Sequence, residues 1–176
     1  LKTEDLKSRI RNVPDFPIKG VMFRDITTLL EDKEAFGFVI EYLYRRYRNE
    51  GIDKIVAIES RGFIFGGALA DRLNCGFVPA RKAGKLPADT IEESFNLEYG
   101  TASLQIHTDA INKGEKIVVL DDLLATGGTL AATARLVERL GGRIIEMAVI
   151  IELKFLNGRK KLGRRAVHSI VTYDSE

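Results

Sequence analysis

Four apolar residues, Ile117 to Leu120, run without a polar break, as in a strand buried on both faces of a parallel sheet. A small-residue turn at 125–129 follows, then an amphipathic run to Leu140 that predicts a helix ending at Gly141-Gly142. The same strand-loop-helix pattern occurs earlier: Lys54 to Ile58 predicts a strand, Glu59 to Gly62 a loop, and Phe63 to Leu73 a helix. Residues 33–49 place Phe36, Val39, Ile40, Leu43 and Tyr47 on one helical face, and Gly51 stops that helix. Further strands are expected at 77–82, 144–151 and 166–173, with Pro79 arguing for an edge or a strand start in the first of them. Residues 2–12 predict a weakly amphipathic helix through Leu6 and Ile10; Pro14 and Pro17 then enforce an extended entry to a turn and strand over 19–26. Residues 88–110 are polar without a steady period, so 88–97 are expected to be a mobile lid and 103–106 a strand returning to the sheet. Alternation of strand and helix from residue 54 onward predicts an α/β fold with a mainly parallel, doubly wound sheet, its ligand loops at the carboxyl ends of strands.

Composition narrows the function classes. The chain has 176 residues, enough for one domain with a real core, and its net charge of +2 gives no field that calls for nucleic acid or a membrane surface. The basic stretch from Lys154 to Arg165 lacks the aromatic interleaving of a nucleic-acid patch and is expected to be a solvated turn. No apolar run has the length of a spanning helix, and no signal peptide opens the chain, although Leu1 in place of Met suggests a missing or processed start. Cys75 has no partner cysteine, which fits a reducing cytoplasm, and His107 and His168 have no neighbours at zinc-ligand spacing. Residues 1–176 are therefore expected to form a single domain.

The chemistry concentrates at the central strand. Asp121 and Asp122 lie at its carboxyl end, and Ala125, Thr126, Gly127, Gly128 and Thr129 follow. Small residues let backbone approach a ligand, free amides at a helix start favour an anion, and the two threonines add hydroxyl donors. A phosphate site beside two carboxylates points to a phosphorylated sugar, the acids accepting hydrogen bonds from ribose hydroxyls or helping to hold a metal. Neither a Gly-x-x-x-x-Gly-Lys loop nor a Gly-x-Gly-x-x-Gly after a strand occurs.

At this stretch, Asp-Asp-Leu-Leu-Ala-Thr-Gly-Gly-Thr, the chain resembles the phosphoribosyl-pyrophosphate (PRPP) signature of type I phosphoribosyltransferases, in the form of the adenine-specific members. Three other segments carry the same resemblance: Pro-Asp-Phe-Pro with Gly-Val-Met-Phe-Arg-Asp-Ile at 14–26, Ser-Arg-Gly at 60–62, and Leu-Glu-Tyr-Gly at 97–100. It spans about residues 10–173. The resemblance implies a type I phosphoribosyltransferase fold with a flexible lid loop and a small base-binding hood from about residues 1–30. It also implies transfer of the 5-phosphoribosyl group from PRPP to adenine, giving AMP and pyrophosphate, in a homodimer.

By the same resemblance, Phe23 stacks on the purine while backbone near Met22 and Arg24 reads its edge. Ser60 and Arg61, with a cis peptide at Glu59-Ser60, hold pyrophosphate together with Arg81, Lys82, Lys85 and Tyr99, and Arg81 reaches the neighbouring subunit's site. The loop from Ala125 to Thr129 holds the 5′-phosphate, Asp121 and Asp122 hold the ribose, and Mg²⁺ arrives on PRPP near the two acids with no direct protein cage. Glu98 assists proton movement at the purine, a task it inherits because Ala125 stands where hypoxanthine-guanine relatives carry an acid. The alternatives are a phosphoribosyltransferase for another base, or a PRPP-sensing regulator, although the first fifty residues show no DNA-recognition helix. Gly67 and the basic 159–165 segment receive no functional reading.

Overall fold

The apolar run at 117–120 lies in the middle of a seven-stranded sheet in the computed structural model, which describes residues 1–97 and 99–176. In chain order the elements are β1 (Arg11–Pro14), β2 (Met22–Asp25), α1 (Thr27–Glu31), α2 (Lys33–Tyr47), β3 (Lys54–Ile58), α3 (Arg61–Leu73) and β4 (Gly76–Lys82). Then follow β5 (Thr90–Asn96), β6 (Thr101–His107), β7 (Lys116–Leu124), α4 (Gly128–Arg139), β8 (Arg143–Leu153), α5 (Arg159–Leu162) and β9 (Val167–Tyr173). The sheet order is β5-β6-β4-β3-β7-β8-β9, parallel throughout except where β6 runs against β4 and β5.

The unbroken apolar runs follow from burial on both faces. Ile55, Ala57, Val118 and Leu120 face one core with α2 and α3, while Val56, Ile58, Ile117 and Val119 face the other with α4. The chain leaves β3 through α3 towards β4 and leaves β7 through α4 towards β8, so the strand order reverses between these neighbours. Such a reversal opens a crevice at the carboxyl ends. Here β3 pairs with β7 no further than Leu120, whereas β7 continues against β8 through Leu124. Asp121 and Asp122 therefore lie within the strand, with one flank open.

Helix α3 reaches the sheet closely because Gly66 has no side chain: a Cβ there would sit 2.5 Å from Ala57 Cβ and 3.0 Å from the Phe77 ring. Gly66→Ala is expected to destabilise the fold by about 1–2 kcal/mol net, overpacking outweighing the gain in helix propensity. Urea unfolding measures it, and an unchanged or raised midpoint would show that the helix can retreat at no cost.

Several local expectations change. Residues 3–9 form a 3₁₀ helix rather than the start of a longer helix, and the chain is extended by Arg11. Only Leu6 and Ile10 are buried in that stretch, and Pro14 disfavours helical backbone at Val13. Strands β1 and β2 pair antiparallel, Val13 opposite Phe23, forming a ribbon apart from the main sheet, and Tyr173 of β9 has Arg24 and Lys7 over its ring at 4.1 and 5.0 Å. Pro79 lies inside β4, but β6 pairs only with Arg81 and Lys82, so at the proline that flank is indeed an edge.

The largest difference lies in the lid. Residues 90–96 are a strand paired along its whole length with 101–107, so the expected irregular loop is a β-hairpin. Its period was hidden because Glu93 takes an inward position between Ile91 and Phe95, where Arg135 and Arg139 of α4 donate to its carboxylate at 3.0 and 3.2 Å.

Candidate active site

The crevice between the ends of β3 and β7 is a cavity of about 400 Å³. Ser60, Arg61 and Lys82 line one side, Asp121 and Asp122 the middle, and residues 125–129 the other side. Two helices begin here. α3 starts at Arg61 and α4 at Gly128, and neither has a side-chain cap hydrogen bond, so the amides of two helix N-termini meet the same space. The peptide between Glu59 and Ser60 is cis.

Both acids are buried, Asp121 at 8% exposure and Asp122 at 6%. Burial, reinforced by the neighbouring charge of Asp122, holds the Asp121 carboxyl well above its ordinary range. The backbone amide of Asp122 donates to Asp121 Oδ1 at 2.8 Å, and Arg61 Nε donates to Asp122. Gly62 is the reason α3 can start against this strand, since a Cβ would lie 3.1 Å from Asp121 Oδ1 and 3.2 Å from the Leu120 carbonyl oxygen. It serves packing.

Sequence reasoning missed Glu59. It gathers two cations and an amide of the next strand and loop: the Lys82 backbone amide donates to it at 2.7 Å, Lys85 Nζ at 2.8 Å, and Arg81 Nη2 lies 3.6 Å away. Burial pushes the Glu59 carboxyl up, but the hydrogen bonds from Lys85 and the Lys82 amide outweigh it and leave the acid below its usual range. The available signal was position: an acid closing a buried strand, one residue before the Ser-Arg-Gly loop. Phe95 was also missed. Its ring lines the cavity and lies where a Gly128 Cβ would meet it at 3.1 Å, so the hairpin leans on the start of α4.

The remaining candidates are not gathered in this cavity. Arg81 and Lys85 stand behind Glu59, and Arg81 Nε is buried without a hydrogen-bond partner among the described residues. Met22, Phe23 and Arg24 lie half-buried on the N-terminal ribbon, where Phe23 meets Phe16 edge to face at 5.1 Å. The ribbon is nonetheless electrically close: the Thr27 hydroxyl and amide hold Asp25 below its usual range, and the charges of Arg11 and Arg61 add to this. Tyr99 is 87% exposed at the hairpin tip. Glu98 lies outside the described residues.

A family model described as the phosphoribosyl transferase domain matches residues 25–173. The chain is 55% identical over 170 residues to the adenine phosphoribosyltransferase of Chloroflexus aurantiacus, covering 97% of this chain and 98% of that one. The crystal structure of adenine phosphoribosyltransferase from Thermoanaerobacter pseudethanolicus superposes with a TM-score of 0.94 at 50% identity, covering 98% of this chain and 100% of the other. The Saccharomyces cerevisiae enzyme, solved with adenine and an iminoalditol bisphosphate, gives a TM-score of 0.90 at 38% identity, covering 96% and 97%.

Proposed function

The chain belongs to the phosphoribosyltransferases, in the adenine-specific branch of the type I family, and on that premise we propose how its crevice moves the 5-phosphoribosyl group of PRPP onto adenine to give AMP and pyrophosphate, a purine-salvage reaction. The observation that carries the site reading is the pair of helix N-termini, neither with a side-chain cap, that open on the same cavity as a buried acid pair. A sugar with phosphates at both ends suits two such sets of donors on one cavity.

The 5′-phosphate sits on the amides and hydroxyls of residues 125–129, and Asp121 and Asp122 accept hydrogen bonds from the ribose hydroxyls. Pyrophosphate lies along the Ser60-Arg61 turn, with Lys82 beside it and Arg81 and Lys85 held ready by Glu59. Breaking the anomeric bond builds positive charge on the ribose and negative charge on the leaving group. The buried acids stabilise the first, and the cations and amides the second. Phe23 stacks on adenine while backbone at Met22 and Arg24 reads its edge; an aromatic face with fixed polar groups suits a neutral base. Glu98 serves proton movement at the purine. The hairpin carrying Leu97 and Tyr99 closes over the reacting carbon and limits attack by water.

Mg²⁺ accompanies PRPP in this reading. Among the described residues no three acid, histidine or cysteine side chains gather to cage an ion. Two adjacent carboxylates instead fit a cation that keeps most of its shell from water and substrate phosphates. Asp121 and Asp122 would complete that shell, and the ion would offset charge on the departing pyrophosphate.

The chain is read as one phosphoribosyltransferase domain with residues 1–30 as the base-binding hood, working as a homodimer. Arg81 would then extend from beside Glu59 to the partner's site. No helix among the described residues is long and apolar enough to cross a membrane. The free Cys75 supports the reducing cytoplasm as its place.

Pyrophosphate release from PRPP-Mg²⁺ with adenine, hypoxanthine, guanine or orotate tests this directly. Adenine alone is expected to support turnover, because Ala125 supplies no acid for a 6-oxopurine. Equal turnover with another base would shift the substrate, and PRPP binding without release for any base would favour the regulator.

A further inference from the structure

We infer that the basic segment after β8 is the rigid back support of the phosphate loop, with Arg159 and Glu152 as positioning residues for the 5′-phosphate half of PRPP binding. This rests on the reading of residues 125–129 given above and deepens it.

The chain leaves β8 through a 3₁₀ turn at Lys154–Leu156 and reaches Gly158 after a left-handed Asn157. Gly158 has φ −57° and ψ −30°, which any residue adopts, so glycine is required there by space rather than by conformation. A Cβ on Gly158 would lie 2.3 Å from the carbonyl oxygen of Ala125 and 2.8 Å from Leu124 Cδ1. Viewed from the loop, a Cβ on Gly127 would lie 2.3 Å from the carbonyl oxygen of Gly158. Backbone thus meets backbone at both ends of the Ala125-Thr126-Gly127 turn.

Both ends of this support are fastened. Arg159 donates from Nε and Nη2 to the two oxygens of Glu152, each at 2.7 Å, and also to the Val167 carbonyl at 3.1 Å and Ser169 Oγ at 3.2 Å. Glu152 is 3% exposed on β8, opposite Leu124 of β7, so this fork ties the support to the strand that carries the loop. The Arg159 hydrogen bonds, against the effect of burial, hold its carboxyl below the ordinary range. At the far end Leu162 is fully buried, and Arg165 donates from Nε and Nη2 to Glu138 of α4 at 2.8 Å each. Strand and helix on either side of the loop are therefore bridged by the segment behind it. A loop whose amides must converge on a phosphate gains affinity when it is ordered beforehand.

The test compares Gly158→Ala, Arg159→Met and Arg159→Lys by steady-state kinetics, with calorimetric titration of ribose 5-phosphate and of pyrophosphate. Gly158→Ala and Arg159→Met are expected to raise KM for PRPP and Kd for ribose 5-phosphate by about 10- to 100-fold, the scale of a sub-ångström to ångström misplacement. KM for adenine and Kd for pyrophosphate should stay within about twofold, and Arg159→Lys should recover part of the loss. Should Arg159→Met fail to fold with Glu152 left unpaired, Gly158→Ala decides alone, because it keeps the ion pair. Unchanged ribose 5-phosphate binding in Gly158→Ala, or a parallel loss of pyrophosphate affinity, would overturn the inference. Thr126→Val separates the two levels. If it leaves ribose 5-phosphate binding intact the loop reading itself fails, whereas a loss there with none in Gly158→Ala removes only the support.

Discussion

Replacing Asp122 by asparagine is expected to lower kcat/KM for PRPP by about 1.5–3 kcal/mol, roughly a 10- to 150-fold loss. The amide keeps the shape of the side chain but gives up the charge that we propose accepts ribose hydroxyls and faces the positive charge built in the transition state. A second consequence has the opposite sign. Asp122 pairs with Arg61, whose side chain is 42% exposed, so the pair adds little to folding and mainly occupies the guanidinium. Freed by the substitution, Arg61 should bind pyrophosphate at least as tightly as before. The signature is therefore a slower reaction with undiminished affinity for the leaving group, read from kinetics with PRPP varied at saturating adenine and from pyrophosphate titration. An unchanged dependence on PRPP would remove this carboxylate from the site, and a weakened pyrophosphate Kd would show that Asp122 orients Arg61 rather than competing for it.

That pairing describes how the crevice keeps its charges before substrate arrives. Asp122 pairs with Arg61, and Glu59 gathers Arg81 and Lys85 while accepting from the backbone amide of Lys82, so three of the four basic groups read as pyrophosphate contacts already lie beside a carboxylate. The arriving anion then exchanges one set of charge-assisted hydrogen bonds for another instead of recruiting free side chains from water.

The sheet and the strand-turn-helix corner at 117–129 were legible because their causes are local. Unbroken apolar runs at 54–58 and 117–120 have one economical interpretation in an alternating chain, and Asp-Asp followed by the Thr-Gly-Gly-Thr turn specifies chemistry within nine residues. What failed depends on partners distant in sequence. The strand at 90–96 was hidden by Glu93, whose inward place is sensible only once Arg135 and Arg139 of α4 are beside it. Glu59 gained its role from residues 81–85. The 154–165 segment was expected to be solvated, and Lys160, Lys161 and Arg164 are indeed exposed; but Arg159 is spent on Glu152, and Gly158 is pressed against residues 124–127. A run of cations states its net charge in the sequence, but not which member pairs with a buried acid.

Gly127→Ala is the change with the most to lose, and its cost can be divided. Gly127 has φ +85° and ψ −1°, left-handed backbone that costs alanine about 1–2 kcal/mol. Its Cβ would also meet the Gly158 carbonyl oxygen at 2.3 Å, and the obstacle is backbone held by the Arg159–Glu152 fork, so overpacking adds about 1–3 kcal/mol. The total is about 2–5 kcal/mol. Little of it should appear as lost fold stability, because α4 is anchored by Leu130, Ala134, Leu136 and Val137 in the core, while the loop ahead of it can yield outwards. Most of it should appear as lost grip on the phosphate, with kcat/KM for PRPP falling by more than tenfold while the melting temperature moves only a few degrees. Gly128→Ala provides the control one residue on. Gly128 starts the helix proper, and its Cβ would meet only the Phe95 ring at 3.1 Å, a side chain on a hairpin that can shift. The ordering is thus fixed in advance: Gly127→Ala must lose far more ribose 5-phosphate affinity than Gly128→Ala. Equal losses would mean that the loop is shaped by its glycine count rather than by the backbone stop behind it.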